Sequence, residues 1–305
     1  MVRSKFFASP VLPTASMLRL MTRVASPTVR RVVQHVSRRP LSLITPASVT
    51  AAAVAAAAAA ASAEAAAFNA AATSAVPAKC LAEADKLYDG NQYASVAGIL
   101  RASLPKAPED TELNWRLARA CKKLSDEEKP KSKEKEALVR EGLAHAEVAL
   151  KSGGATCGPA HKWYAILLSA VGEFTGTSEK IKNSFVVREH FSEACRLSPK
   201  DATSRHLLGL WCFEVAKLSW IEQKAAAALF ASPPQATFEE ALGHFEAAEA
   251  MEPGFYPKNL LLLAQACAKL GRKADAEAWL SKCLAAKPQT PEDRATLAEA
   301  SKLKL

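Results

Sequence analysis

Residues 257–288 read PKNLLLLAQACAKLGRKADAEAWLSKCLAAKP, and this stretch decides the fold class. Its first half sets Leu260, Leu263 and Cys267 at helical spacing, with small Ala264 next to Leu263 where a second helix has room to approach. Gly271 closes that half, because glycine accepts the left-handed backbone that ends a helix. The second half places Ala276, Leu280 and Cys283 on one face, and Pro288 stops it. The stretch is thus a complete helix, turn and helix, with small residues where the two helices touch.

The second-helix pattern, with offsets of four, three and five, recurs four more times. It falls on Val96, Leu100, Ser103 and Pro108, then on Gly142, Ala146, Ala149 and Gly154. It returns on Val187, Phe191, Ala194 and Pro199, and on Ala241, Phe245, Ala248 and Pro253. The first-helix pattern recurs as Leu117, Ala118, Cys121 and as Leu208, Gly209, Cys212. Around Trp163 either Tyr164 with Ala165 or Leu168 with Ser169 fits the large and small pair. This is the tetratricopeptide pattern. The expected fold is all-α, a tetratricopeptide-like α-solenoid over residues 78–305, in which stacked units bury a core that none could bury alone. The closing residues are 46, 45, 54 and 35 apart, against a standard of about 34. The surplus is assigned to loops at Lys122–Lys135, Phe174–Ser178 and Leu218–Thr237, and residues 292–305 to a capping helix.

The net charge of +9 is not spread evenly. Residues 1–63 hold eight of the 40 basic residues and no acid, leaving 32 basic against 31 acidic in the rest. The repeat region is therefore near neutral, which argues against a nucleic-acid partner. An Arg- and Ser-rich, acid-free start, with Arg19 and Arg23 on one face of an amphipathic run, marks residues 1–46 as a disordered targeting leader of the mitochondrial transit type. Chloroplast leaders share this composition. Residues 47–77 form an alanine-rich low-complexity linker or weak membrane anchor, since Ala favours helix but supplies little transfer energy.

Seven cysteines, none close enough to another for a CxxC pair, read as small buried hydrophobes. No HExxH, GxSxG or GxxxxGK occurs, and the histidines are spread singly, so neither an enzyme, a cofactor nor a metal is indicated. His161 and His206, each near the start of a first helix, read as hydrogen-bonded structural groups, and the tryptophans as packing.

Three blocks are not repeat consensus: HKWYAILLS at 161–169, KDATSRHLLGLWCFEVAKLSWIEQKAAAALFASPP at 200–234 and PGFYPKNLLLLAQ at 253–265. They resemble the regulator of microtubule dynamics family, and the similarity covers most of residues 82–286. The resemblance implies a repeat domain linked to microtubules and spindle poles, and in some members a place on mitochondria at contacts with other membranes. It makes the cytoplasm, microtubules and spindle poles the alternative to a mitochondrial location.

A superhelix offers a concave face lined by its first helices. The offsets put Trp115, Arg119 and Lys122 there from the second unit, and His206, Leu210 and Phe213 from the fourth. The fifth contributes Lys258, Leu261 and Gln265. Cations at one end and apolar walls at the other suit an acidic peptide, an amphipathic helix or a phospholipid head and tail. A separate basic loop, Lys129, Lys131, Lys133 and Lys135, suits the acidic surface of microtubules, although Asp126, Glu127, Glu128 and Glu134 dilute it.

Overall fold

The computed structural model describes residues 76–218, 227 and 235–304. The leader at 1–46, nearly all of the linker at 47–77 and most of the insertion after residue 218 lie outside them. The described residues hold eleven α-helices and no strand. In chain order these are α1 (Ala78–Asp89), α2 (Tyr93–Ser103), α3 (Thr111–Glu127), α4 (Lys133–Gly153), α5 (Gly158–Val171) and α6 (Thr177–Leu197). They continue as α7 (Ala202–Ala216), α8 (Phe238–Met251), α9 (Pro257–Lys269), α10 (Lys273–Ala285) and α11 (Pro291–Ala300). Consecutive helices pair into five units, α1–α2 to α9–α10, and α11 lies against the last pair. Among these residues no helix is long and apolar enough to cross a membrane.

The repeat positions do what their size demands. A Cβ on Gly142 of α4 would stand 3.0 Å from the Cys121 Cβ and 3.2 Å from the Ala118 carbonyl oxygen, both on α3. One on Gly209 of α7 would stand 2.8 Å from the Phe245 ring on α8. Larger side chains there would push the helices apart. In the third unit Ala165, fully buried with Val187 and Phe191, takes the small position, while Ser169 is exposed, so Tyr164 and Ala165 are the pair. Six of the seven cysteines are buried and all are unpaired. Burial holds the thiols of Cys121, Cys157 and Cys212 at about 12, 11 and 11, so they stay protonated and behave as apolar spacers.

The turns of the first and last units are built alike. Gly271 has φ 71° and the Arg272 amide donates to the Cys267 carbonyl at 2.9 Å. Asn91 has φ 58° and the Gln92 amide donates to the Leu87 carbonyl, also at 2.9 Å. Both are left-handed helix ends, one filled by glycine and one by asparagine, the residue that best tolerates the conformation after glycine.

The surplus in the second unit does not form the loop expected at Lys122–Lys135. α3 and α4 instead run to 17 and 21 residues and leave only residues 128–132 between them. The composition explains this: Lys122 holds Asp126 one turn on at 2.5 Å, and the Ser132 hydroxyl caps α4 by accepting from the Lys135 amide at 3.0 Å. The remaining space before α7 is also taken by a long helix, the 21-residue α6.

First helices touch from unit to unit between α1 and α3, α3 and α5, α7 and α9, and α9 and α11. No second helix touches the next second helix to a comparable extent. The first helices are therefore on the inside of the curve, and the second helices line its outer side. Lys162 of α5 reaches the Asp201 N-cap of α7 at 2.8 Å, linking the two first helices that touch least.

Candidate functional site

The most highly charged part of the concave face lies where α1 meets α3. The Asp85 carboxylate accepts from Arg116 at 2.8 Å and from Arg119 at 2.6 Å. Arg116 also reaches Glu112 at 2.6 Å, and the Trp115 indole N–H donates to Glu112 at 3.1 Å. Burial pushes the Asp85 carboxyl up, but hydrogen bonds and charge from Arg116, then from Arg119, more than offset it and hold it below the usual range. The Arg119 guanidinium lies 3.7 Å from the Tyr88 ring centre and 5.1 Å from that of Trp115. Its Nε is buried with no acceptor. Burial also pushes the Tyr88 phenol up to about 12, so it stays a neutral stacking partner. Asp85 and Glu112 keep this cluster from being a free cationic patch, and Arg119 retains a buried N–H without an acceptor.

Of the second-unit candidates, Trp115 and Arg119 meet here, but Trp115 is buried and contributes a wall, and Lys122 is committed to Asp126. The fourth-unit candidates need correction. Phe213 is in the core, 5.4 Å from the Phe238 ring and 6.3 Å from that of Phe245. His206 is also buried; its Nδ1–H donates to Asn259 Oδ1 at 2.9 Å and its ring lies 5.0 Å from that of Tyr256. Burial lowers its pKa to about 4 despite that hydrogen bond, so it is neutral. Leu210 stays half-buried and is the accessible one of the three. In the fifth unit Leu261 is fully buried, and Lys258 and Gln265 both grip Glu299 of α11, at 2.6 and 3.1 Å. The capping helix therefore occupies that end of the concave face.

Of the basic loop, Lys129, Lys131 and Lys133 are exposed and Lys135 pairs with Glu173 at 3.0 Å. The connection is a tight turn, closed by the Ser132 amide on the Lys129 carbonyl at 3.1 Å, with Pro130 and Lys131 at its corners. Lys131 has φ 60°, the left-handed conformation that the second corner of a type II turn requires and that glycine normally supplies. A lysine there costs about 1 kcal/mol or more, yet it puts an ammonium at the apex of the turn.

The sequence reading missed Asp85 and Tyr88, although a signal was present. Ala84 stands twelve residues before Val96, as Ala264 does before Ala276, which makes α1 a first helix and puts Asp85 in the place of Arg119 and Gln265. It also missed two buried asparagines, for which spacing gives no sign. Asn114 donates to the carbonyls of Pro108 and Asp110 at 2.9 and 2.8 Å and faces His145 Nδ1 at 2.8 Å. Asn259 donates to the Phe245 carbonyl at 3.1 Å and accepts from His206. Asn114 thus ties α3 to α4, and Asn259 ties α9 to both α7 and α8, each with a polar group that must be satisfied where it is.

Residues 80–304 match the family described as regulator of microtubule dynamics protein 1-3. The chain is 43% identical over 223 residues to regulator of microtubule dynamics protein 1 of Bos taurus, an alignment covering 73% of this chain and 69% of that protein. It is 36% identical over 204 residues to protein 3 of Rattus norvegicus, covering 66% of this chain and 43% of that longer relative. Among solved structures it is similar to a thermophilic TPR protein of Thermus thermophilus, with a TM-score of 0.52 and 19% identity, covering 74% of this chain and 98% of the other. That last likeness concerns the tetratricopeptide-like fold alone. With the repeat pattern, the helix pairing and these relatives in agreement, the chain belongs to the regulator of microtubule dynamics family.

Proposed function

We propose that this protein is a non-catalytic repeat scaffold that docks on the acidic surface of microtubules through the turn between α3 and α4. The observation that carries the reading is Lys131, held at φ 60° on the apex of a turn between exposed Lys129 and Lys133. A position at which glycine would be more stable carries a charge instead, and backbone strain of this kind collects at functional sites. The family name supplies the partner, and the charge supplies the contact.

Pelleting with polymerised tubulin tests it. Binding should weaken steeply with added salt, because exposed charges are screened over about 8 Å at physiological ionic strength. Lys131→Gly should raise the stability of the fold by about 1 kcal/mol and weaken pelleting; Lys129→Glu with Lys133→Glu should weaken it further. A variant that is more stable and pellets as well as the parent overturns the role of this turn. A second reading, a scaffold whose concave face holds a peptide carboxylate or a phospholipid head, is favoured by the unaccepted Arg119 Nε. In that case Arg119→Gln removes the partner and the lysine variants leave it in place.

A further inference from the structure

His161 and His190 were spread singly in the sequence, 29 residues apart, but the fold brings them together. His161 lies on α5 and His190 on α6, and their Nδ1 atoms are 3.0 Å apart, with ring centres 4.9 Å apart. His161 Nε2 is 2.9 Å from the Gly154 carbonyl oxygen at the end of α4. A carbonyl only accepts, so Nε2 carries the proton of neutral His161 and its Nδ1 presents a lone pair. His190 Nδ1–H then donates to that lone pair. The Tyr164 ring packs against the His190 ring at a tilt of 49°, with centres 4.5 Å apart.

We propose that this pair is a binding site for a divalent transition metal of the Zn²⁺ class, with His161 Nδ1 and His190 Nδ1 as ligands and Glu193 as the third. Metal-bound imidazoles usually donate their other ring N–H to a carbonyl or carboxylate, and the Gly154 contact already does this for His161. With metal–nitrogen bonds of about 2.0–2.1 Å, two nitrogens 3.0 Å apart subtend about 95° at the metal, close to the right angle of neighbouring octahedral ligands. Opening the pair by about 0.3 Å gives the tetrahedral angle. On binding, the His190 proton moves from Nδ1 to Nε2, so neutral His190 releases no net proton.

Among the described residues no three His, Cys, Asp or Glu side chains already converge on a metal position. Glu193 follows His190 on the same face of α6, and its carboxylate is turned to Arg196, with contacts of 2.8 and 2.5 Å. That pair is exposed on the surface, where ion pairs contribute little, so the carboxylate is free to swing to a metal. The metal would join α5 and α6 within the third unit, with the end of α4 as outer support.

The test is calorimetric titration of the full chain with ZnCl₂ in metal-free buffer. One-to-one binding is expected. His161→Gln and His190→Gln should each weaken it at least tenfold, and the double variant should add little, since one ligand of a chelating pair is of little use alone. Glu193→Gln should weaken it less. Arg196→Gln, which releases Glu193 without touching the core, should tighten it, a result that a purely structural histidine pair does not give. Circular dichroism of each variant must match the parent. Absence of one-to-one binding above the background of the double variant, or unchanged affinity in either histidine variant, overturns the site; unchanged affinity in Arg196→Gln removes Glu193 from it.

Discussion

Replacing His206 by Gln should make the stability of this protein less sensitive to pH, and the size of the effect follows from where the imidazole sits. His206 is buried among Phe245, Phe255 and Tyr256, and its ring N–H donates to Asn259 Oδ1. Its pKa is lowered from 6.5 to about 4, by burial first, against the small upward pull of Asn259. A depressed folded-state pKa means that the unfolded chain takes up the proton first. The stability due to neutral His206 is present above pH 6.5 and is lost as the pH falls from there toward 4. At pH 5 the unfolded imidazole is nearly all protonated and the folded one nearly all neutral, a gap of about 1.5 units, or about 2 kcal/mol. Gln can still donate to Asn259 but does not titrate. Urea unfolding of the parent and of His206→Gln at pH 7, 6 and 5 measures the difference. The substitution should cost about 1–2 kcal/mol at pH 7, and that cost should disappear by pH 5. His145, His161, His190 and His244, whose pKa values are also lowered by burial, contribute equally to both proteins and cancel. If the two proteins lose stability in parallel from pH 7 to 5, His206 does not titrate as its burial requires and the reasoning is wrong.

Two further outcomes follow from the turns and the close approaches. Gly209→Ala should destabilise by about 1–3 kcal/mol, as overpacking does, because its Cβ would meet the Phe245 ring at 2.8 Å; a neutral result in urea unfolding would mean that α7 and α8 separate easily. The matched turns should respond with opposite sign, Gly271→Ala losing about 1 kcal/mol and Asn91→Gly gaining up to that amount, since both residues hold positive φ. Equal signs in thermal or urea melts would show that the two turns are not equivalent.

What could be read from the sequence and what could not divides by range. Gly142, Gly209 and Ala264 are evidence from within a unit: each is small because the other helix of its pair must touch it, and the repeat pattern exposes that whether the connection is a turn or the long one between α7 and α8. The side of the chain that faces inward was also readable in outline, which is why Arg119 was found from Trp115 and Lys122. Burial along that side was not. The offsets treat the concave positions of all units as equivalent, but Phe213 packs on Phe238 and Phe245 of α8, and His206 meets Tyr256 before α9. Residues that would line the wall of a regular array are thereby taken into the core where a unit carries a large aromatic at those places.

Charge pairing is the long-range counterpart, and it bears on which surfaces are left to act. Lys258 and Gln265 read as groove residues because nothing near them in sequence competes for them, yet Glu299 of the capping helix takes both. Asp85 does the same to Arg116 and Arg119 from the other end of the array. Both ends of the concave face thus have their cations already engaged, the first by the carboxylates of α1 and α3 and the last by α11. Lys129 and Lys131, in the turn, and Lys133, at the start of α4, differ because no ion pair to a carboxylate among the described residues takes them. A partner with an acidic surface therefore meets lysines outside any ion pair at the α3–α4 turn, beside the carboxylates of Glu127, Glu128 and Glu134, whereas a partner entering the concave face must displace Asp85 or Glu299 from the cations they hold.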